Sequence, residues 1–220
     1  MDRETVDAYD VWSVSYASDW LHQPAPADMY ALLMRYFEPG RTIDVGCGAG
    51  RDVAWLKENG FDVKGVDASS GLLNEAMKAY PGIDFDRAVL PGLSELKGER
   101  YQNVLCETVL MHLDPADIQL ATQALLNLLL PGGTLYLSWR VTPEQSLRDN
   151  NGRLYASFNE GRVREVVLRE AKILFDEEQV SASSGKIIHR LIVRKFGSQS
   201  RGNSSLSNAS VSIDRQHEEA

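Results

Sequence analysis

"TIDVGCGAGRD", residues 42–52, runs a short apolar strand into a turn with three glycines, Gly46, Gly48 and Gly50, and straight on into a helix. Glycine has no Cβ and adopts positive φ freely, so a ligand is able to lie directly on such a main chain. The helix behind the turn presents unpaired N–H groups, a half-positive end suited to a carboxylate or phosphate. The same three glycines also suit a bare strand-to-helix turn. The surrounding sequence has to choose between the two.

Strand and helix alternate downstream of this turn. "RTIDVG" (41–46) is read as a strand and "GRDVAWLKENG" (50–60) as a helix closed by Gly60. "FDVKGVD" (61–67) is a strand, "SSGLLNEAMKAY" (69–80) a helix and "IDFDRAVL" (83–90) a strand. "RYQNVLCETVL" (100–110) is a strand leading into "HLDPADIQLATQALLNLLL" (112–130), a helix capped by Asp114 and Pro115 and ended by Pro131. "GGTLYLSW" (132–139) is a strand, "SFNEGRVREVVLREA" (157–171) a helix and "KILFDEEQV" (172–180) a strand. "SASSGK" (181–186) is turn chemistry before a last strand, "IIHRLIVRK" (187–195).

This spacing predicts an α/β fold: a seven-stranded, mostly parallel sheet with helices on both faces. The last two strands are joined by a short loop, which connects only antiparallel neighbours, so the sheet closes in a C-terminal hairpin. Upstream, "ETVDAYDVWSVSYASDWLH" (4–22) reads as one or two short helices, "QPAPA" (23–27) breaks them, and "DMYALLMRYF" (28–37) is amphipathic with Asp28 near its start. Residues 1–27 are therefore expected to form an N-terminal helical cap and 28–196 the main domain. The Ser/Asn/Gly-rich residues 197–220 are expected to be a disordered tail. The N-x-S triplets at Asn203 and Asn208 are read as coincidental.

The chain of 220 residues carries a net charge of −8 and a pI near 5.1, which disfavours a default grip on phosphate backbones. Its two cysteines, Cys47 and Cys106, make neither a disulfide framework nor a metal-ligand set. The polar start "MDRETVDAYD" does not read as a signal peptide, and no apolar run approaches a membrane span. A cytoplasmic protein, monomeric or homodimeric, with no membrane or nucleic-acid partner and no metal, is expected.

Further features favour a nucleoside ligand at the turn. Asp44 lies two residues before it, and "GVDAS" places Asp67 at the tip of the second strand, about 20 residues beyond Gly46, where an acid accepts ribose hydroxyls. A dinucleotide site would have its third glycine at position 51, which is Arg51. The pattern D-x-G-x-G-x-G instead resembles motif I of class I S-adenosylmethionine-dependent methyltransferases. "KGVDAS" resembles the family's acidic motif after the second strand, "LLPGGTLYLSW" its entry into the fifth strand, and the closing hairpin its sheet edge. The likeness covers residues 28 to 195 or so, and "GxGRDxxxL" is similar to small bacterial enzymes of the tellurite-resistance and small-molecule type.

The resemblance implies a Rossmann-like fold and S-adenosyl-L-methionine as cofactor. It implies that Gly46, Cys47 and Gly48 line the methionine part over Asp44, with Arg51 either pairing the carboxylate or solvated. Asp67 would hold the ribose and Ala68 the adenine edge. Ala88 stands where relatives often carry an acid, which leaves the main chain of Val89 and Leu90 for the adenine. "CETVLMHL" (106–113) would lie close to the transferred methyl, with Cys106, Glu107 and Thr108 facing cofactor or acceptor. Cys106 also reads as a small buried hydrophobe.

No catalytic group is marked clearly. Glu107 and His112 are the candidates, and His112 reads equally as a packed helix cap. Substrate contacts are expected from Tyr9, Trp12 and Tyr16, whose helical spacing with Trp20 also suits plain packing. Trp139 and Arg140 after the fifth strand are further candidates, with Arg148 and Arg153 following. Gly46→Val is expected to block the cofactor while the chain stays folded. The expected activity is methyl transfer to a small-molecule acceptor. The alternatives are transfer to RNA or a protein side chain, a non-catalytic cofactor-binding subunit and, more distantly, a nicotinamide oxidoreductase.

Overall fold

The computed structural model describes residues 1–142 and 144–197, so the expected tail, with Asn203 and Asn208, lies outside the described residues. The strands are β1 (Arg41–Val45), β2 (Asp62–Asp67), β3 (Asp84–Arg87), β4 (Tyr101–Cys106), β5 (Leu129–Arg140), a short pair β6 (Leu147–Arg148) and β7 (Leu154–Tyr155), then β8 (Ala171–Val180) and β9 (Ile187–Lys195). Seven of them form one sheet in the order β3-β2-β1-β4-β5-β9-β8. β1 pairs in parallel with β2 and β4, and β5 with β4, whereas β9 runs antiparallel to both β5 and β8. Strand order reverses at β1 and β4, and a crevice opens beyond their carboxyl ends.

Side-chain alternation explains why both faces are covered. Val104, Leu135 and Leu191 point into one apolar cluster, and their neighbours Leu105, Tyr136 and Ile192 into the other. Helices α6 (Ile118–Asn127) and α7 (Gly161–Glu170) cover the first face. Helices α3 (Ala27–Tyr36), α4 (Arg51–Glu58) and α5 (Ser70–Ala79) cover the second. Burying each such leucine or isoleucine contributes about 1.5–3 kcal/mol.

Some boundaries differ from the sequence reading. α6 ends at Asn127, well before Pro131, because Leu129 already pairs with Tyr101 and the strand begins there. Asp114 caps a single 3-10 turn, accepting from the Ala116 N–H at 2.8 Å, and α6 starts only after it. The segment after β5 is not plain loop: β6 and β7 form a small hairpin.

The N-terminal residues form two helices, α1 (Arg3–Val11) and α2 (Ser13–His22), broken at Trp12. Asp2 caps α1 through the Thr5 N–H at 2.9 Å. Asp10 accepts from Ser69 Oγ at 2.6 Å and from the Gly71 N–H at 2.8 Å, which pins α1 to the start of α5. Fully buried Arg190 on β9 donates to Asp28 at 2.7 Å, so the start of α3 is locked to the antiparallel part of the sheet. α1 and α2 thereby lie over the crevice.

Candidate functional site

The turn after β1 has φ of +83°, +55° and +83° at Gly46, Gly48 and Gly50, a region L side chains avoid. A Cβ on Gly46 would collide with Val109 Cγ2, and one on Gly48 would come 2.7 Å from the Trp20 ring. The protein's own side chains therefore crowd the turn. This corrects the expectation for Gly46→Val: the branched Cβ would strike Val109 in addition to any ligand, and the fold itself would suffer.

The turn is fixed by its neighbours. The Gly46 and Cys47 N–H groups donate to the Val66 carbonyl at 2.7 and 3.0 Å. Asp67 accepts from the Gly48 N–H at 2.9 Å with one carboxylate oxygen and from the Ser69 N–H at 2.8 Å with the other. A carboxylate offers about four lone-pair positions, so two remain for a ligand. Cys47 is buried against this turn and borders the cleft.

Acidic groups gather around it. Burial, helped by the charges of Asp52, Asp67 and Glu107, pushes the Asp44 carboxyl well above its usual range. Burial likewise raises Asp67, against the backbone N–H bonds that oppose it. Glu107 is raised by burial too, while the Ser138 hydroxyl that donates to it works the other way. Ser138 Oγ also accepts from the Thr108 N–H at 3.0 Å, holding Thr108 at φ +55°, a costly conformation for a β-branched residue. Arg51 lines the cleft and forks onto Asp52 at 2.9 and 3.2 Å, and the Tyr30 hydroxyl donates to the same carboxylate at 2.8 Å.

At the far end of the crevice, Ala68, Leu72, Ala88 and Leu90 line a small apolar compartment. Val89 is not part of this lining; the expectation there concerned its main chain, which runs between the lining residues Ala88 and Leu90. The Leu90 carbonyl accepts from the Met1 ammonium at 2.6 Å. Cys106 is also corrected: it is fully buried in the sheet core and lines neither compartment.

The other half of the crevice is built from segments distant in sequence. His112 Nδ1 lies 2.6 Å from the Leu154 carbonyl, which only accepts, so Nδ1 carries the proton. Nε2 then accepts from the Tyr9 hydroxyl at 3.0 Å. Burial brings the His112 pKa down to about 4 and raises that of Tyr9. Arg153 is held by Asp149 at 2.7 Å and lies 4.6 Å from the Tyr16 ring centroid. Arg140 lies 4.8 Å from the Tyr155 centroid.

Three expected substrate residues do not reach this space. Trp12, 51% exposed, turns outward because the helix breaks there. Tyr16 is buried behind the site, accepting from Asn151 Nδ2 at 2.7 Å and stacking with Trp20. Trp139 is 5% exposed and stacks on His189 at 4.4 Å, away from the main cleft. Arg148 pairs with Asp2 and Glu4 instead. Tyr9, Trp20, Glu107, Thr108, His112 and Arg140 do line the cleft. So do Asp52, Met111, Tyr155 and Lys186, which the sequence reading passed over. Asp52, in the first turn of α4, and Met111, within the 106–113 segment, had a positional signal; Tyr155 and Lys186 had none.

Residues 43–133 match a family described as a methyltransferase domain. The chain is 28% identical over 137 residues to a ubiquinone biosynthesis O-methyltransferase of Hahella chejuensis, covering 60% of this chain and 56% of the relative. It is 30% identical over 152 residues to a glycine N-methyltransferase of Mus musculus, covering 61% and 52%. The chain thus spans about half the length of the curated relatives it matches. Among solved structures, the Burkholderia thailandensis 1,6-didemethyltoxoflavin-N1-methyltransferase, with bound 1,6-didemethyltoxoflavin and S-adenosylhomocysteine, superposes with a TM-score of 0.60. That structure is 25% identical, with 87% of this chain and 84% of that chain covered. The matched region contains the glycine turn, Asp67 and the ends of β2 and β4, the parts that shape the crevice, and over it the chain is similar to the methyltransferase domain family.

Proposed function

We propose that the protein transfers the methyl group of S-adenosylmethionine to a small-molecule acceptor by in-line displacement. One observation carries the reading: the glycine turn and a wall of aromatic and cationic side chains face the same cleft of about 580 Å³. Sites for small molecules fall within about 300–1,000 Å³.

The residues fit the cofactor. The spare lone pairs of Asp67 suit two ribose hydroxyls, and Ala68, Ala88 and Leu90 leave thin apolar walls for a flat base. Asp44 and Glu107 are buried carboxyl groups beside the turn whose ionised forms a sulfonium and an ammonium favour. When bound, the cofactor supplies a methyl already activated by its sulfonium. The chain has to orient the acceptor and exclude water, which is worth about 7–11 kcal/mol.

His112 serves in positioning. Its proton is held by Leu154, its lone pair by Tyr9, and its low pKa makes it a weak base. Glu107 borders both halves of the crevice with its carboxylate aligned by Ser138, and it takes the proton when the acceptor must lose one. Such a base adds about 10²–10⁴-fold. A small acceptor, rather than RNA, agrees with the net charge of −8. No helix among the described residues is long and apolar enough to cross a membrane.

Calorimetry with S-adenosylhomocysteine, with NAD as control, tests the cofactor. Mass spectrometry of a cell extract incubated with the protein and S-adenosylmethionine then tests the acceptor. A small metabolite gaining one methyl group is the expected result. NAD binding in place of the homocysteine compound, or label found only on RNA or protein, would overturn the reading.

A further inference from the structure

The acceptor side of the cleft holds charge that the fold does not use. Arg41, Arg51, Arg148, Arg164, Arg190 and Arg194 each reach a carboxylate. Arg153, at the cleft, is engaged by Asp149. Arg140 and Lys186 also line the cleft, and among the described residues neither side chain has an ion pair or a hydrogen bond. Arg140 is half-buried, and its guanidinium lies over the Tyr155 ring. That placement leaves its N–H edge for another partner.

The sheet brings these two cations together. Arg140 is the register partner of Ile188 on β9, and the Val141 N–H donates to the Ile187 carbonyl at 3.0 Å. Lys186 lies in the exposed bend just before β9, two residues from Ile188, and lines the same cleft as Arg140. Ile188, Met111 and Tyr155 supply apolar surface beside them. Asp44, Asp52 and Glu107 also line the cleft, with Asp52 already paired to Arg51, so the unpaired cations among the described lining residues are Arg140 and Lys186.

Resting on the methyltransferase reading, we infer that the acceptor is a small organic carboxylate whose anionic end is held by Arg140 and Lys186. The planar guanidinium matches the two oxygens of a carboxylate, and the ammonium adds a second charge. The body of the molecule then lies against Tyr155 and Met111, pointing its nucleophilic atom back toward the glycine turn. An acceptor of this kind gains from both cations; a cationic one is repelled by them.

Benzoate and benzamide, nearly the same shape and differing in charge, are the probes. Their affinities are measured on the full chain by ligand-detected NMR, with and without saturating S-adenosylhomocysteine. Benzoate is expected to bind at least about tenfold more tightly than benzamide, as a charge-assisted pair provides. In the double variant Arg140→Gln, Lys186→Gln this preference is expected to fall to about one, with benzamide and S-adenosylhomocysteine binding as before. Equal or absent binding of the two probes, or a preference that survives in the double variant, would overturn the carboxylate site. Failure of S-adenosylhomocysteine to bind, with the benzoate preference intact, would sink the methyltransferase reading and leave the anion site standing.

Discussion

The two halves of the crevice are made in different ways. The half proposed to hold the cofactor consists of main chain at the ends of β1, β2 and β4, with Asp67 bonding back onto the Gly48 and Ser69 N–H groups. Its conformation follows from positive φ at three glycines and from strand pairing, both short-range constraints. The acceptor half is made of side chains from α1, the segment after β4, the end of β5, the β6–β7 hairpin and the β8–β9 turn. Its polar links cross the chain, as where Tyr9 meets His112. The first half is a rigid consequence of fold; the second is an assembly able to change without disturbing the sheet. Under the proposed function, such a division would let one scaffold keep a cofactor and vary an acceptor.

Gly46→Val tests the rigidity of the cofactor half and has the largest expected effect. A β-branched residue at φ +83° with its Cβ against Val109 is expected to lose about 4 kcal/mol or more of stability, read as a lower urea midpoint. In a Val109→Ala background, Gly46→Ala should cost only its backbone term, about 1–2 kcal/mol. A Gly46→Val chain as stable as wild type would show that the turn is not crowded.

The acceptor half is tested through His112. Its pKa of about 4 lies below the unfolded value near 6.5, so the unfolded chain binds the extra proton between them. Stability is therefore fully present above pH 6.5 and falls by about 3 kcal/mol as pH drops toward 4. His112→Gln is expected to remove that part of the slope in thermal melts. Identical slopes would mean that the imidazole is not held neutral.

Asp67 sharpens the contrast further. Asp67→Ala should weaken S-adenosylhomocysteine binding by about 1–3 kcal/mol in calorimetry, since a charged acceptor and the tie to Gly48 are both lost. Benzoate binding should not move. Unchanged cofactor affinity would remove Asp67 from the ribose site.

The smallest effect is a pH dependence. Asp44, Asp67 and Glu107 all have raised pKa values in the free chain. A bound sulfonium favours their ionised forms, so binding releases protons and affinity rises with pH. Between pH 5 and 8, S-adenosylmethionine should gain about threefold more affinity than the neutral thioether S-adenosylhomocysteine. Parallel pH profiles for the two would show that these carboxylates do not sense the sulfonium charge.

Much of the cofactor half was legible in the sequence because its signals are local. Glycine spacing, an acid at a strand tip and the strand–helix period place Gly46, Gly48 and Asp67 on the observed turn. The miss there, Cys106, is a one-residue question of which face a side chain takes. The acceptor half was legible only in part. Tyr9 and Arg140 do reach the cleft, yet Trp12, Tyr16 and Trp139 do not. One helical face drawn through residues 9, 12, 16 and 20 fails because the chain breaks at Trp12.

The sequence alone determined the parallel sheet, its closing hairpin and the glycine turn. Periodicity and backbone permission act over a few residues and need no knowledge of what packs where. The tertiary structure alone decided that Val109 and Trp20 press on the glycines and that His112 is neutral between Leu154 and Tyr9. It also decided that Arg140 and Lys186 share a wall. These depend on which distant segments meet, and that is settled by burial of the whole core rather than by any neighbouring residue.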